Sequence, residues 1–536
     1  MPASEANVST SRASRYLAQL CRHGSQVGQL SRQDAHGHGD GHGHGDGGAA
    51  PAPRHAGWTS AGGVIDFGWG RCTMRATSEA LTLRAEAGDQ QQLQLIQDGI
   101  TARLERIGRR DQLSVAWRQD PSGPDDPDGT DDSATAILNG LMAPAGRADP
   151  YPLYAQAHQI GPVSALGGGW FLVCGYAAVS QVLRNPGFGL PDPPGPGSAS
   201  GDGSGELSLL SRSILRANPP EHARMRSLIS QVFTPRRVAE LRPAIEDAVD
   251  TLLDRLAEAG AGGQPVDFMD QFAFQLPVTV ICELLGVPAA DRARFRPLAA
   301  DLTTALELSA DVPDPGPAAA AARELAGYFT ALTAARRAAP RDDLIGALVA
   351  ARDAGDGRLS DEELLANLIV LLVAGFETTT SLLGNGLAIL FEDPATAEAL
   401  RGGTVPAAGF TEEVLRYDAP VQAVTRVARA SDLTAGGRPV PQGSKLVLLI
   451  GAANRDPDRY PDPDRFDPAR GDSRPLSFGA GAHICLGSAL ARLEAAVAFP
   501  RLLARFPALA AAPGQQPVRR SRLILRGYET LPVIVT

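Results

Sequence analysis

The chain has 536 residues, of which 50 are basic and 60 acidic, for a net charge of −10, and 43% are apolar. That length allows about two to four domains with sizeable cores, and the acidic balance argues against nucleic acid as the main partner. The five cysteines, Cys21, Cys72, Cys174, Cys282 and Cys485, are scattered and odd in number, which gives neither a disulfide framework nor a paired-cysteine zinc site and fits a reducing cytoplasm.

Residues 1–118 read as a small α+β domain. Met1 to Leu20 lacks the apolar centre of a secretory signal. Ser11–Arg22 is predicted helical, with Tyr16, Leu17 and Leu20 on one side. Val64–Phe67, Arg71–Ala76 and Leu81–Ala85 read as strands, Gln91–Ile107 as an amphipathic helix, and Leu113–Trp117 as a last strand. The segments Ser11 to His23, Phe67-Gly-Trp-Gly-Arg-Cys-Thr-Met74 and Leu104-Glu-Arg-Ile107 resemble a small bacterial domain of unknown function. A histidine- and glycine-rich insertion, residues 36–48, carries His36, His38, His42, His44, Asp40 and Asp46. Imidazole and carboxylate could bind Zn, Ni or Cu, but alternating glycine preorganises no geometry, so a low-complexity loop is the expectation. Residues 119–148 read as an acidic Pro/Gly-rich linker.

From residue 149 the chain reads as mostly helical with a minor β region. Trp170–Val173 is a predicted strand. Asn218-Pro-Pro-Glu-His222-Ala-Arg-Met-Arg226 places His222 and Arg226 four apart on a helix started by Pro219 and Pro220. Asn185 to Arg216 and Arg292 to Thr330 contain Pro/Gly-rich runs that read as mobile loops. Leu364–Leu390 is an apolar helix interrupted by Ala374-Gly375-Phe376-Glu377-Thr378. Glycine costs a helix about 1 kcal/mol against alanine, and an acid in so apolar a run is unusual. Its most apolar part, Leu364 to Gly375, is too short to span a bilayer. Glu413 and Arg416 are three apart and can pair on one helix face. Arg426 follows in Val424-Thr425-Arg426-Val427, and Ala452 to Arg470 is a Pro/Asp-rich stretch with no regular period.

The most telling segment is Phe478-Gly479-Ala480-Gly481-Ala482-His483-Ile484-Cys485-Leu486-Gly487. Gly479 and Gly481 permit a tight turn and close approach to a flat ligand. A cysteine between such a loop and a helix start is placed to be a thiolate, because helix amides and dipole lower a thiol pKa.

The spacing Phe-Gly-x-Gly-x-His-x-Cys-x-Gly resembles the proximal haem loop of the cytochrome P-450 family, the haem-thiolate monooxygenases. Asp149-Pro-Tyr-Pro-Leu-Tyr154 and Gly161-Pro-Val163 resemble that family's start, so the resemblance covers residues 149–536. It implies a soluble, bacterial-type fold with haem b, Cys485 as axial iron ligand and Phe478, Gly479 and Gly487 around it. It implies an acid–alcohol pair, Glu377 and Thr378, that moves protons and hydrogen-bonds dioxygen, with Ala374 and Gly375 leaving room for O2. His222, Arg226, Arg426 and His483 would hold the propionates. Glu413 and Arg416, joined by Arg465, would form a structural ion-pair network, and residues 452–470 would lie near the face where a redox partner docks. No flavin-nucleotide domain or four-cysteine cluster pattern is visible, so electrons from NAD(P)H are expected through a separate ferredoxin and ferredoxin reductase. Three alternatives stay open: a peroxide-driven peroxygenase, which usually lacks the acid–alcohol pair; a non-catalytic haem or recruitment protein; and a metal handler working through the histidine tract.

Overall fold

The computed structural model describes residues 3–21, 55–59, 62–77, 80–111, 113, 115–119, 131–191, 204–231, 233–305, 307, 316–354 and 359–536. The chain divides into two compact units, Met1–Pro127 and Asp128–Thr536. The histidine tract and the central parts of both loops expected to be mobile lie outside the described residues. Among the described residues no cluster of histidine, cysteine and acid side chains could hold a metal ion.

In the first unit, strand β1 (Ala3–Ser9) and a helix α1 over residues 13–21 precede β2 (His55–Trp58), β3 (Gly62–Asp66), β4 (Gly70–Ala76), β5 (Ala80–Ala87), helix α2 (Gln90–Ile107) and β6 (Arg118–Gln119). The strands form one sheet in the order β2-β3-β4-β5-β1-β6. Asp89 caps α2 by accepting from the Gln92 N–H. Leu93, Ile96, Ile100 and Leu104, three or four apart, bury one α2 face in a core shared with Leu81 and Leu83. Sequence pattern alone missed β1. It also put a strand at Leu113–Trp117, whose described residues are irregular; β6 starts only at Arg118. The aromatic character there serves packing instead, since the Trp117 indole donates to Thr101 Oγ1 at 2.8 Å.

The second unit is mostly helical with small sheets. Its first helix, α3 (Asp132–Met142), corrects the expected linker, which ran to residue 148. Asp131 caps α3 through the N–H groups of Ser133 and Ala134, and Ala134, Ile137 and Leu141 are buried at helical spacing. The acidic Pro/Gly composition stops short of this amphipathic run. Strands β7 (Val163–Gly167), β8 (Trp170–Val173), β9 (Phe188–Gly189), β10 (Ala423–Ala428) and β11 (Lys445–Leu449) make a sheet ordered β7-β8-β11-β10-β9, with β8 parallel to β11.

Seven further helices position the site: α4 (Glu221–Ile229), α5 (Gln275–Leu285), α6 (Phe295–Thr304), α7 (Gly316–Ala338), α8 (Asp361–Glu392), α9 (Ala407–Tyr417) and α10 (Ser488–Arg505). The centre is α8. Ser360 and Glu363 close a capping box at its start, and most of its side chains are buried, as expected for a helix apolar on every side. At 32 residues it is long and apolar enough to cross a membrane by length and composition, which the shorter run Leu364 to Gly375 did not suggest. Its burial makes it a core helix.

Candidate functional site

The glycine-rich segment folds as two short 3-10 turns, Leu476–Phe478 and Gly481–His483, ahead of α10. Gly479 has φ 68° and ψ −164°, a region essentially closed to side-chain-bearing residues. Gly481 has φ 70°, and a Cβ there would lie 2.3 Å from the Leu183 carbonyl oxygen. The Cys485 N–H closes the loop by donating to the Phe478 carbonyl at 2.9 Å, and the Arg492 guanidinium sits 4.4 Å above the Phe478 ring. Gly487 has room around it: an added Cβ would meet only Cys485 Sγ, at 4.0 Å. It keeps the approach to sulfur open.

Cys485 is the exposed cysteine; the other four are buried. Desolvation of its sulfur pushes the thiol pKa up. The N–H groups of Gly487 and Ser488 and the charges of Arg226 and Arg492 pull it down without winning. The sequence argument from helix amides therefore has the right contributors and the wrong net sign for the free thiol. Coordination to a metal deprotonates a thiol outright.

Four basic side chains converge beside this loop. His222, on α4, is buried, and its ring centroid lies 3.9 Å from that of His483. His222 Nε2 is buried without a hydrogen-bond partner. Burial, with His222, Arg426 and Arg226 close by, pushes His483 down to about 3. Arg426, on β10, is buried and pushed down to about 10 by desolvation; its guanidinium donates to the Thr425 carbonyl at 2.8 Å. Arg226 is also lowered by desolvation, partly offset by Cys485. Among the described residues no carboxylate acts on either arginine to balance this cluster. Buried cations without an anion are unstable on their own, and the two propionates of a haem would supply the missing charge. The residues present fit that group: Cys485 would offer a thiolate to iron, and the basic side chains would take the propionates.

Asn218 stands at the start of this segment and clasps Leu190 at both main-chain atoms, accepting at 2.8 Å and donating at 3.0 Å. That clasp anchors the turn into α4.

On α8, Ala374 is exposed and Thr378 half-buried, one turn apart, and the Thr378 hydroxyl donates to the Ala374 carbonyl at 3.1 Å. Gly375 serves a different purpose from that expected: a Cβ there would come 2.6 Å from Ile281 Cγ1 on α5. Its bareness lets α5 pack against α8, and Ala374 alone leaves α8 open. Glu377 is buried, and its Oε2 accepts from Arg520 at 2.5 Å. Arg520 was not foreseen. It stands 143 positions away, in the run Arg519-Arg520-Ser521-Arg522, and a late arginine cluster was the available signal for a counter-ion to an acid in an apolar helix.

The Glu413–Arg416 pair on α9 is bidentate, at 2.9 and 2.7 Å, and both residues are essentially inaccessible. Arg416 also donates to the carbonyls of Asn454, Pro463 and Arg465. The expected third partner needs correcting. The Arg465 side chain is exposed and only the main-chain carbonyl of that residue takes part, whereas Arg470 reaches Glu413 Oε1 at 3.3 Å. A second buried network, Asp418 with Arg526, Arg519 and Tyr151, was also missed. An open cavity of about 770 Å³ joins the 467–475 stretch to the cysteine loop, lined by Arg184, Glu412, Asp472, Ile484 and Arg492 among others; Ile484 is 44% exposed.

Fold and site together suit a haem-thiolate protein: a mostly helical unit with a cysteine in a glycine-turned loop and a basic cluster beside it. The comparisons agree. The family model described as Cytochrome P450 matches residues 322–403 and 409–527, and residues 54–118 match one described as an uncharacterized protein conserved in bacteria (DUF2218). The chain is 38% identical over 411 residues to the cytochrome P450 monooxygenase PikC of Streptomyces venezuelae, covering 76% of this chain and 95% of that one. It is 38% identical over 403 residues to the 6-deoxyerythronolide B hydroxylase of Saccharopolyspora erythraea, covering 72% and 96%. Among solved structures it is similar to Mycobacterium smegmatis CYP164A2, with TM-score 0.67 and 38% identity, covering 75% of this chain and all of that one. The chain belongs to the cytochrome P450 family and is a cytochrome P450 oxidoreductase, for which the family implies haem and O2-dependent oxygenation.

Proposed function

We propose that the protein is a cytoplasmic haem b monooxygenase that inserts one oxygen atom from O2 into a small organic substrate, by hydroxylation or epoxidation, with electrons from NAD(P)H delivered through a separate ferredoxin and ferredoxin reductase. The observation that carries this reading is the intact acid–alcohol pair, Glu377 and Thr378, on the buried central helix of a fold that also carries the Cys485 loop. Bound haem supplies the oxygen activation, favoured by electron density pushed from a thiolate ligand. The chain's own residues do the rest. Cys485 offers the thiolate. His222, Arg226, Arg426 and His483 hold the propionates, with charge-assisted bonds from the arginines. Ala374 leaves space against α8. Thr378 has its proton committed to the Ala374 carbonyl, which leaves its oxygen as an acceptor. Glu377 is the group that can move a proton at its carboxylate.

The cavity at Arg184, Glu412, Asp472, Ile484 and Arg492 is the docking face proposed for the ferredoxin; its exposed Ile484 and mixed charges suit a transient partner. Several relatives carry names from polyketide and sterol-like oxidation, including a polyketide biosynthesis cytochrome P450 of Bacillus subtilis and a vitamin D(3) 25-hydroxylase of Pseudonocardia autotrophica. Macrolactones and secosteroids are therefore the first substrates to screen by spin-state shift. The test compares turnover driven by NADPH, ferredoxin and reductase with turnover driven by hydrogen peroxide. Partner-driven turnover exceeding peroxide-driven turnover is expected; the reverse would make the protein a peroxygenase, and haem binding without either would make it non-catalytic.

A further inference from the structure

The run 520–525 connects two places that sequence gives no reason to connect. Arg522 donates to Thr303 Oγ1 at 2.5 Å and to the Ala300 carbonyl at 2.9 Å, both on α6. In return, the carboxylate of Glu307, just beyond α6, accepts from three successive N–H groups: Leu523 at 2.8 Å, Ile524 at 2.9 Å and Leu525 at 3.2 Å. A carboxylate seated on successive amides is a charge-assisted clasp. Two residues before Arg522, Arg520 makes the ion pair with Glu377.

The piece between these contacts is stiff. The Arg520 N–H donates to the Gly527 carbonyl at 3.0 Å, and Val518–Arg519 pairs with Tyr528–Thr530. The Gln422 N–H donates to the Ile524 carbonyl and the Arg526 N–H to the Pro420 carbonyl. Gly527 lies hard against α8, where a Cβ would fall 2.4 Å from Ser381 Oγ, one turn past Glu377. A hairpin held this way moves as a body.

We infer that the 518–530 hairpin links the end of α6 to the Glu377 carboxylate, so that Glu307, Arg522 and Arg520 are positioning residues for the proton relay. With Glu307 and Arg522 engaged, Arg520 is held against Glu377 and fixes the carboxylate. A shift of the α6 end that breaks the Glu307 clasp loosens Arg520 and frees the carboxylate to turn. The inference rests on the proposed role of Glu377, and it gives that role a control point at the end of α6.

The test is hydrogen exchange by mass spectrometry on the full-length haem-loaded protein, for wild type, Glu307→Ala, Glu307→Gln and Arg520→Gln. Each variant is first checked for an unchanged reduced carbon-monoxide spectrum. Glu307→Ala is expected to speed exchange several-fold at the α6 end and also at 374–381 on α8. Glu307→Gln, which still offers an acceptor oxygen, is expected to fall between Glu307→Ala and wild type, and it carries the test if the alanine variant does not fold. Arg520→Gln should speed exchange at 374–381 and leave α6 unchanged. Changes confined to α6 and the hairpin, with 374–381 unaltered in the Glu307 variants, would overturn the link. Failure of the underlying reading shows differently: Glu377→Gln would then leave the ratio of product to released peroxide unchanged while the exchange pattern stands.

Discussion

Replacing Glu413 by alanine strips the inaccessible Arg416 of its bidentate carboxylate. Breaking a buried pair by removing one partner costs about 3–5 kcal/mol. Arg416 keeps three carbonyl acceptors, at Asn454, Pro463 and Arg465, so the loss belongs near the lower end, about 3 kcal/mol. For a unit of about 400 residues the unfolding entropy is about 0.8 kcal/mol per kelvin. The melting temperature should therefore fall by about 4 °C, read by far-ultraviolet circular dichroism and by the Soret band. Arg470→Ala, which loses the Glu413 contact and the bonds to the carbonyls of Pro461, Asp462 and Arg465, should cost about 2 kcal/mol. Arg465→Ala should stay within about 0.5 kcal/mol, since its side chain is exposed. A Glu413→Ala variant melting within about 1 °C of wild type, or an Arg465→Ala variant equally destabilised, would refute the reasoning.

Three other outcomes are expected. Gly481→Ala should lose most bound haem per chain, measured by pyridine haemochrome, because its Cβ would sit 2.3 Å from the Leu183 carbonyl; full haem content would contradict the cradle. Arg426→Gln and Arg226→Gln should each speed haem transfer to apomyoglobin, and unchanged rates would remove them from the propionate set. The Glu494 carboxyl is raised by burial to about 8, and its Oε2 has no partner. The unfolded chain ionises there from its ordinary value of 4.5, whereas the folded chain holds its proton until about 8. Stability should therefore fall as pH rises through that window, and Glu494→Gln should be the more stable form at about pH 8 with the gap closing toward about pH 5 in urea unfolding; equal stability at both would show that the carboxyl is not held protonated.

What was legible in the sequence was what lies close together along the chain. The cysteine loop is one contiguous decade of residues, so its tight turn on two glycines and the cysteine between that turn and a helix start could be anticipated locally. Helix α8 announced itself by an apolar run broken by a glycine and an acid. His222 and Arg226 were recognisable from helical spacing. What was illegible depends on which way a side chain turns or on contacts across long separations. Arg465 and Arg470 are both plausible partners for Glu413 in an irregular stretch, and only the folded path turns Arg470 inward. Glu377 finds Arg520 across the fold. Asp131 and the amphipathic residues of α3 were hidden by the Pro/Gly-rich run before them. The thiol's net shift needs the desolvation of its sulfur, which helix-start reasoning does not contain.

The central claim, that Cys485 is the thiolate ligand of a haem, is tested most directly by the reduced carbon-monoxide difference spectrum of the purified protein beside its Cys485→His variant. The account predicts a strongly red-shifted, thiolate-type Soret band in the wild type and its replacement by a histidine-type band in the variant. A histidine-type band in the wild type, or a thiolate-type band that survives the substitution, would contradict it.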